Sequence, residues 1–362
     1  MWRKIKIDEK KMEAAVLGGA VLGGGGGGWI DEGRELGGLA LEKGFSEVLP
    51  IQALSGDAVL LTVSSVGAPS AGKGFVGPDD YIRAVEMFVQ RPGMKVEGLI
   101  SSEIGGMAVV NGWLQSAALN IPVIDAPCNG RAHPLGAMGS MGLHLDKDFV
   151  SFQTAVGGSR EKGNRVEAFF EAPLLDASRL VRDAAVKAGG LVAVARNPVP
   201  AHIVKGDGAP GAIAMAIKVG KVLLQNKDFG ATTAVGKVLH GLGGKFLIKG
   251  RVEGLRLKTL GGLDLGEVQV RAGRQNYALT FWNEYMTLES EGERIATFPD
   301  LIMTFDARTS MPLISAQVKE GDEILVISVP SRNLILGAGM RDAEILRQVE
   351  RAIGKDIARY RK

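Results

Sequence analysis

Cysteine occurs once in the 362 residues, at Cys128, so no internal disulfide framework can form. A single thiol suits a reducing compartment, and we expect a cytoplasmic protein. Histidine occurs four times, at His133, His144, His202 and His240, without H-x-x-x-H or C-x-x-C spacing. The sequence therefore leaves the cofactor unknown, with a metal possible but unsupported. A metal would have to be assembled across loops, with Cys128, His133 and Asp125 as the nearest approach to a ligand set. No charge of one sign dominates: 43 basic and 40 acidic residues are well mixed and leave a net +3, which gives no track for a nucleic acid. No apolar run reaches the 18 or so residues of a membrane span, and no cleavage pattern marks a signal peptide.

Glycine is the residue in excess. The chain has 51, about twice the usual share, clustered between apolar runs. The densest cluster is Gly23, Gly24, Gly25, Gly26, Gly27 and Gly28, which follows the apolar run Val16–Leu22 and precedes a helical stretch from Ile30 to Lys43. An apolar run of this length reads as a strand, and the whole as a strand–glycine loop–helix whose backbone N–H groups converge on an anion or a polarised oxygen. The glycines satisfy G-x-G-x-x-G trivially, and no acidic residue ends the next strand, Val48–Ile51, as a dinucleotide site requires. Trp29-Ile30-Asp31 follows where a Walker loop needs Gly-Lys-Ser/Thr. Tight packing of a helix on a sheet is the structural alternative.

At this length we expect two domains. Residues 1–165 alternate strands and helices, as in a three-layer α/β domain with a mainly parallel sheet. Ala58–Val63 is a strand ending in Ser64 to Pro69, with Gly67 in the turn; Val96–Ile100 is another, ending in Glu103-Ile104-Gly105-Gly106. Ile121–Ile124 leads into Asp125 to Pro134, and Tyr81–Gln90 and Asn111–Leu119 are the helices between. In such sheets ligands bind where loops gather at the carboxyl ends of the strands, so four loops should share one cleft. Residues 166–362 begin with helices, Arg179–Ala188 and Gly211–Leu224 among them. Short strands follow from Phe246 to Val329, and a final helix, Asp342–Ile353, makes this half a helical linker with a β-rich C-terminal domain.

These loops resemble the S-methyl thiohydantoin desulfurase family, formerly catalogued as a domain of unknown function beside hydantoinase/oxoprolinase proteins. The resemblance is carried by Gly18–Gly28, Gly67-Ala68-Pro69, Glu103–Gly106, Asp125, Gly130-Arg131-Ala132 and Pro134, and by Asn283-Glu284 and Phe298–Ile302 in the second half. It implies an α/β N-terminal domain, a β-rich C-terminal domain, and hydrolysis of a small hydantoin-like ring at a C–S or C–N bond. The chain departs from the family pattern at Pro127, His133 and Leu135, where the family has Asp, Phe and Glu, and at Ala108, near which the family has Asn.

Such a hydrolysis needs an activated water, a proton donor and groups that stabilise developing charge. Glu103 and Asp125 are the carboxylates at apolar strand ends, where burial raises a carboxyl pKa. His133 is a candidate acid or base, alone or paired with Cys128 as nucleophile. Arg131 is a candidate clamp for an anionic substrate group. Asn129 and Gly23–Gly28, Gly67, Gly105 and Gly106 complete the expected binding surface. Structural alternatives stand beside these: a turn cap for Asp125, a turn contact for Glu103, an inert buried thiol for Cys128 and an ion pair for Arg131. Asn283, Glu284 and Asp300 are expected to serve the second domain or the interface. The competing functional reading is a non-catalytic binding subunit partnering a hydantoinase/oxoprolinase-type enzyme; a homo-oligomer also remains open.

Overall fold

The computed structural model describes residues 3–67, 76–260 and 263–360. Ala68 and Pro69, expected in the second glycine-marked loop, lie outside them. The first sheet contains β1 (Ile5–Lys6), β2 (Glu47–Leu49), β3 (Val59–Gly67), β4 (Gly98–Ser101), β5 (Val123–Ile124), β6 (Val150–Gly157), β7 (Val166–Pro173) and β8 (Leu191–Pro200). Its spatial order is β1-β2-β5-β4-β3-β8-β6-β7. The run β2-β5-β4-β3 is parallel, which directs the loops after β3, β4 and β5 to one edge; the flanking pairs are antiparallel. The expected boundary near 165 falls inside this sheet, because β6 and β7 pair as a hairpin across it.

Helices cover both faces of this sheet, as the three-layer reading requires. α3 (Pro78–Val89) packs Tyr81, Ala84, Val85 and Phe88 on Leu61, Val63 and Leu99. The alternate residues Leu60, Ile100 and Ile124 meet Leu174 of α5 (Leu174–Lys187) and Val204 of α6 (Ala201–Asp207) on the other face. This is the two-residue period of a strand buried on both sides.

The segment before the glycines corrects the sequence reading. It is a helix, α1 (Glu9–Gly23), N-capped by Asp8, whose carboxylate accepts the Lys11 N–H at 2.8 Å. Every residue from 14 to 23 is buried. A short run that is apolar all round reads alike as a buried strand or a buried helix, and only its packing separates them. α1 runs beside α7 (Ala212–Asn226), where Gly18 and Gly220 bring the two backbones together. A Cβ on Gly18 would lie 1.8 Å from the Ala216 carbonyl oxygen, and one on Gly220 1.8 Å from that of Ala14. With α2 (Ile30–Glu42), α4 (Trp113–Leu119) and α8 (Ala231–Gly241), these helices share one core with Val48 and Val123 of the first sheet.

That core continues into the second sheet through Leu301, Met303, Phe305, Leu325, Ile327 and Val329. The second sheet is wholly antiparallel and comprises β9 (Lys245–Leu260), β10 (Leu263–Ala272), β11 (Gln275–Trp282), β12 (Glu284–Ser290), β13 (Glu293–Thr297), β14 (Leu301–Asp306), β15 (Pro312–Leu313) and β16 (Glu323–Val329). Its order is β13-β12-β11-β10-β9-β16-β14-β15. α9 (Ala343–Ile353) follows, with Asp342 as its N-cap. The chain is thus a two-domain α/β protein with a β-rich second domain, and the helices around α1 form the layer between the sheets.

Candidate active site

The carboxyl ends of β3 and β4, the loop after β5 and the first turn of α2 open on a cleft of about 370 Å³. The first domain contributes Gly27, Gly28, Trp29, Glu32, Ser64–Gly67, Ser102, Glu103, Asn111 and His133. Ser178, Val181 and Arg182 of α5 and Arg196 of β8 form another wall, and Leu263, Asn283 and Glu284 enter from the second sheet. Each of the four expected loops reaches the cleft, but not with all the expected residues.

Glu103 follows β4, and the backbone N–H of His133 donates to its Oε2 at 3.2 Å. The His133 imidazole lies alongside, with Nε2 3.5 Å from the same oxygen. Burial, helped by Arg196, pushes the imidazole down to about 4, so it faces Glu103 as a neutral ring. Burial pushes Glu103 up to about 7, against the opposing pull of Arg196 and Arg131. The Arg196 guanidinium is fixed by donating from Nη2 to Ser64 Oγ and Ser102 Oγ, both at 3.0 Å. Glu284 is 2% exposed, and its Oε2 has no hydrogen-bond partner among the described residues. Burial and the charge of Glu103 raise it well above the ordinary carboxyl range, with Arg131 opposing. Two carboxyl groups from different domains thus meet one cleft, each raised by burial.

The remaining expected residues are elsewhere. Asp125 caps α7, accepting the Ile213 and Ala214 N–H groups at 2.7 and 3.2 Å, and burial raises its carboxyl to about 6. Cys128 is fully buried, 3.3 Å from Thr62 Oγ1, and burial pushes its thiol up to about 11, away from the thiolate a nucleophile needs. Arg131 donates from Nη1 to the carbonyls of Pro299 and Asp300 at 2.8 and 2.7 Å, with its guanidinium over the Phe298 ring. Burial pulls it down to about 10, partly countered by Glu284. Asn129 donates to the Arg131 carbonyl and accepts the Gly337 N–H. The loop after β5 therefore staples the domains together, and only its end, His133-Pro134, lines the cleft.

Of the expected glycines, Gly27, Gly28 and Gly67 line the cleft. Gly105 packs on Gly27, Gly106 lies near Gly28, and Gly23 to Gly26 meet Gly105, Arg131, Tyr285 and Glu284 in that order. Sequence reasoning missed Arg196 and Arg182, and left Glu284 to the interface. The signal for Arg196 was a charged residue within a mainly apolar strand. Among the described residues no group of three His, Cys, Asp or Glu side chains is placed to hold a metal ion, and no helix is long and apolar enough to cross a membrane.

Two family models match the chain in tandem. The one described as S-Me-THD-like, N-terminal domain, covers residues 10–166, and the one described as S-Me-THD-like, C-terminal domain, covers residues 174–339. The chain belongs to the S-methyl thiohydantoin desulfurase (S-Me-THD-like) family. This S-Me-THD-like protein shares its fold with a protein from Chromobacterium violaceum whose crystal structure is known. The two are 21% identical, with a TM-score of 0.73 over 97% of this chain and 96% of that one. No curated protein matches.

Proposed function

We propose that the protein hydrolyses a small hydantoin-like ring, removing methanethiol from an S-methyl thiohydantoin. The observation that carries this reading is that Glu103 of the first domain and Glu284 of the second line one cleft, both buried carboxyls raised above their ordinary range. Family membership supports the choice of ring.

Glu103 takes one proton of a water whose oxygen bonds to the ring carbon bearing sulfur. The C=N electron pair moves onto the ring nitrogen, which receives the proton of Glu284. The intermediate then re-forms a C=O bond as the C–S bond breaks. The departing methanethiolate takes the proton held by Glu103, and the hydroxyl proton returns to Glu284, so both carboxyl groups end as they began. Water is the direct nucleophile, since Cys128 is sealed from the cleft. Arg182 lies at the cleft with no hydrogen bond or ion pair among the described residues, which supports a role in holding an anionic substituent on the ring.

The test is turnover of S-methyl thiohydantoins, hydantoins and oxoproline, with free thiol and ring opening both followed. Thiol release from the S-methyl compounds, reduced at least ~10²-fold in Glu103→Gln and in Glu284→Gln, is the expected result. Tight binding of a panel member without any turnover would overturn the hydrolase reading in favour of a binding subunit.

A further inference from the structure

We infer that Asn111 is the specificity-determining residue that reads a ring N–H, so that the cleft accepts rings with that nitrogen unsubstituted. The inference deepens the hydrolase reading and rests on it.

Asn111 is 4% exposed, lines the cleft, and its Oδ1 has no hydrogen-bond partner among the described residues. A buried amide oxygen left unpaired lowers stability, and such an atom persists where a ligand completes it. Asn111 is also held rigidly. Its backbone N–H donates to the Ala108 carbonyl at 3.1 Å, and the N–H groups of Met107 and Ala108 donate to the Gly27 carbonyl at 3.1 and 3.0 Å. The side chain therefore projects from a turn anchored to the glycine loop rather than from a mobile one.

The same cleft holds two more polar side chains with atoms that lack a hydrogen-bond partner among the described residues, Glu284 at Oε2 and His133 at both ring nitrogens, with Nε2 of the latter 3.5 Å from Glu103 Oε2. Asn111 Oδ1 can only accept. A protonated Glu284 donates, and neutral His133 has one donor and one acceptor nitrogen. The complement of this set is a flat ring that alternates N–H donors with C=O or C=N acceptors. Cyclic amides and amidines have that alternation, and methylation of the nitrogen facing Asn111 removes the donor. A site built to hydrogen-bond a polar group rejects analogues that lack it far more strongly than an apolar wall does.

The experiment measures binding of hydantoin and of its N1-methyl and N3-methyl derivatives by calorimetry, to the full-length protein and to Asn111→Leu, a change of similar volume without the acceptor. The wild type should bind one N-methyl derivative at least ~10²-fold more weakly than hydantoin, and in Asn111→Leu that ratio should fall to within about 5-fold. Thermal melting of the ligand-free proteins gives a second readout: Asn111→Leu should melt at or above the wild type, whereas a residue that merely held the turn would lower the melting point. A ratio that persists in Asn111→Leu reflects steric exclusion and overturns the assignment, as does equal binding of all three rings by the wild type. Failure of the wild type to bind any of these rings, with no turnover of the S-methyl compounds, overturns the hydrolase reading itself and this assignment with it.

Discussion

Replacing Glu103 with glutamine separates what this carboxyl does for chemistry from what it does to stability. Burial raises Glu103 from an ordinary 4.5 to about 7, so the folded state resists its ionisation. A group whose folded pKa is raised contributes its full stability below the unfolded pKa and loses it as pH rises through the folded one. Between pH 4.5 and 7 the wild type should therefore lose up to about 3 kcal/mol, at 1.36 kcal/mol per pKa unit. This is an upper bound, because the side chain is 19% exposed and its charge is felt by Glu284. Glutamine keeps an oxygen to accept the His133 N–H and carries no charge at any pH.

Glu103→Gln should thus match the wild type in urea unfolding at pH 4 and exceed it by roughly 2–3 kcal/mol at pH 8, while thiol release falls at least ~10²-fold. In the wild type, kcat/KM should rise with pH up to about 7 as Glu103 ionises, then fall once Glu284 loses its proton. A stability difference that is flat with pH, or a glutamine variant less stable at pH 8, would refute the reasoning. Either would mean that Arg196 compensates the ionised carboxylate in full. Gain of stability with loss of activity is the expected signature of a site residue held in an unfavourable environment.

Cys128→Ala should retain turnover within about 3-fold, and the native thiol should resist alkylation until the protein unfolds, because the sulfur is sealed beneath Thr62. Asp125→Ala should lose about 1–2 kcal/mol in denaturant unfolding with KM unchanged, since it leaves two N–H groups of α7 unpaired outside the cleft. Arg182→Leu should raise KM about 10- to 100-fold for rings bearing a carboxylate and leave unsubstituted rings unaffected. Equal effects on both substrates would remove Arg182 from substrate recognition.

Much of the fold was legible because strand periodicity and loop chemistry agreed. The run Ala58–Val63 before a polar loop, the helical spacing of Ile82, Val85 and Phe88, and the short apolar run Leu301–Asp306 each correspond to an observed element. Val16–Leu22 failed because buried helix and buried strand share an apolar signature, and the decisive contact, Gly18 on Ala216, joins residues about two hundred positions apart. The cleft was legible as a place, through the parallel run β2-β5-β4-β3. Its membership was not. Asp125 and Glu103 follow β5 and β4 in the same way, yet one turns to cap α7 and the other faces the cavity. Glu284 arrives from a different sheet, through packing that a local motif does not record.

The glycine run shows how that second carboxyl reaches the first domain's cleft. The expectation was of N–H groups converging on a ligand, but the contacts that define the loop are made by its carbonyls. Gly24 and Gly25 accept the Tyr285 and Ser315 N–H groups at 2.8 Å, and Gly27 accepts those of Met107 and Ala108, so the loop is bonded to both domains within four residues. At Gly27, with φ +81°, a Cβ would lie 2.4 Å from the Gly105 Cα, backbone against backbone, and Gly27→Ala should abolish folding. At Gly26 the obstacle differs. A Cβ there would lie 2.0 Å from Oε1 of Glu284, the free end of a flexible side chain. Gly26→Ala should therefore leave the fold intact while swinging Glu284 out of place, with thiol release reduced as far as in Glu284→Gln and a melting point within a few degrees of the wild type. Full activity in Gly26→Ala would mean that Glu284 needs no defined position, and the proton donor would have to be sought elsewhere.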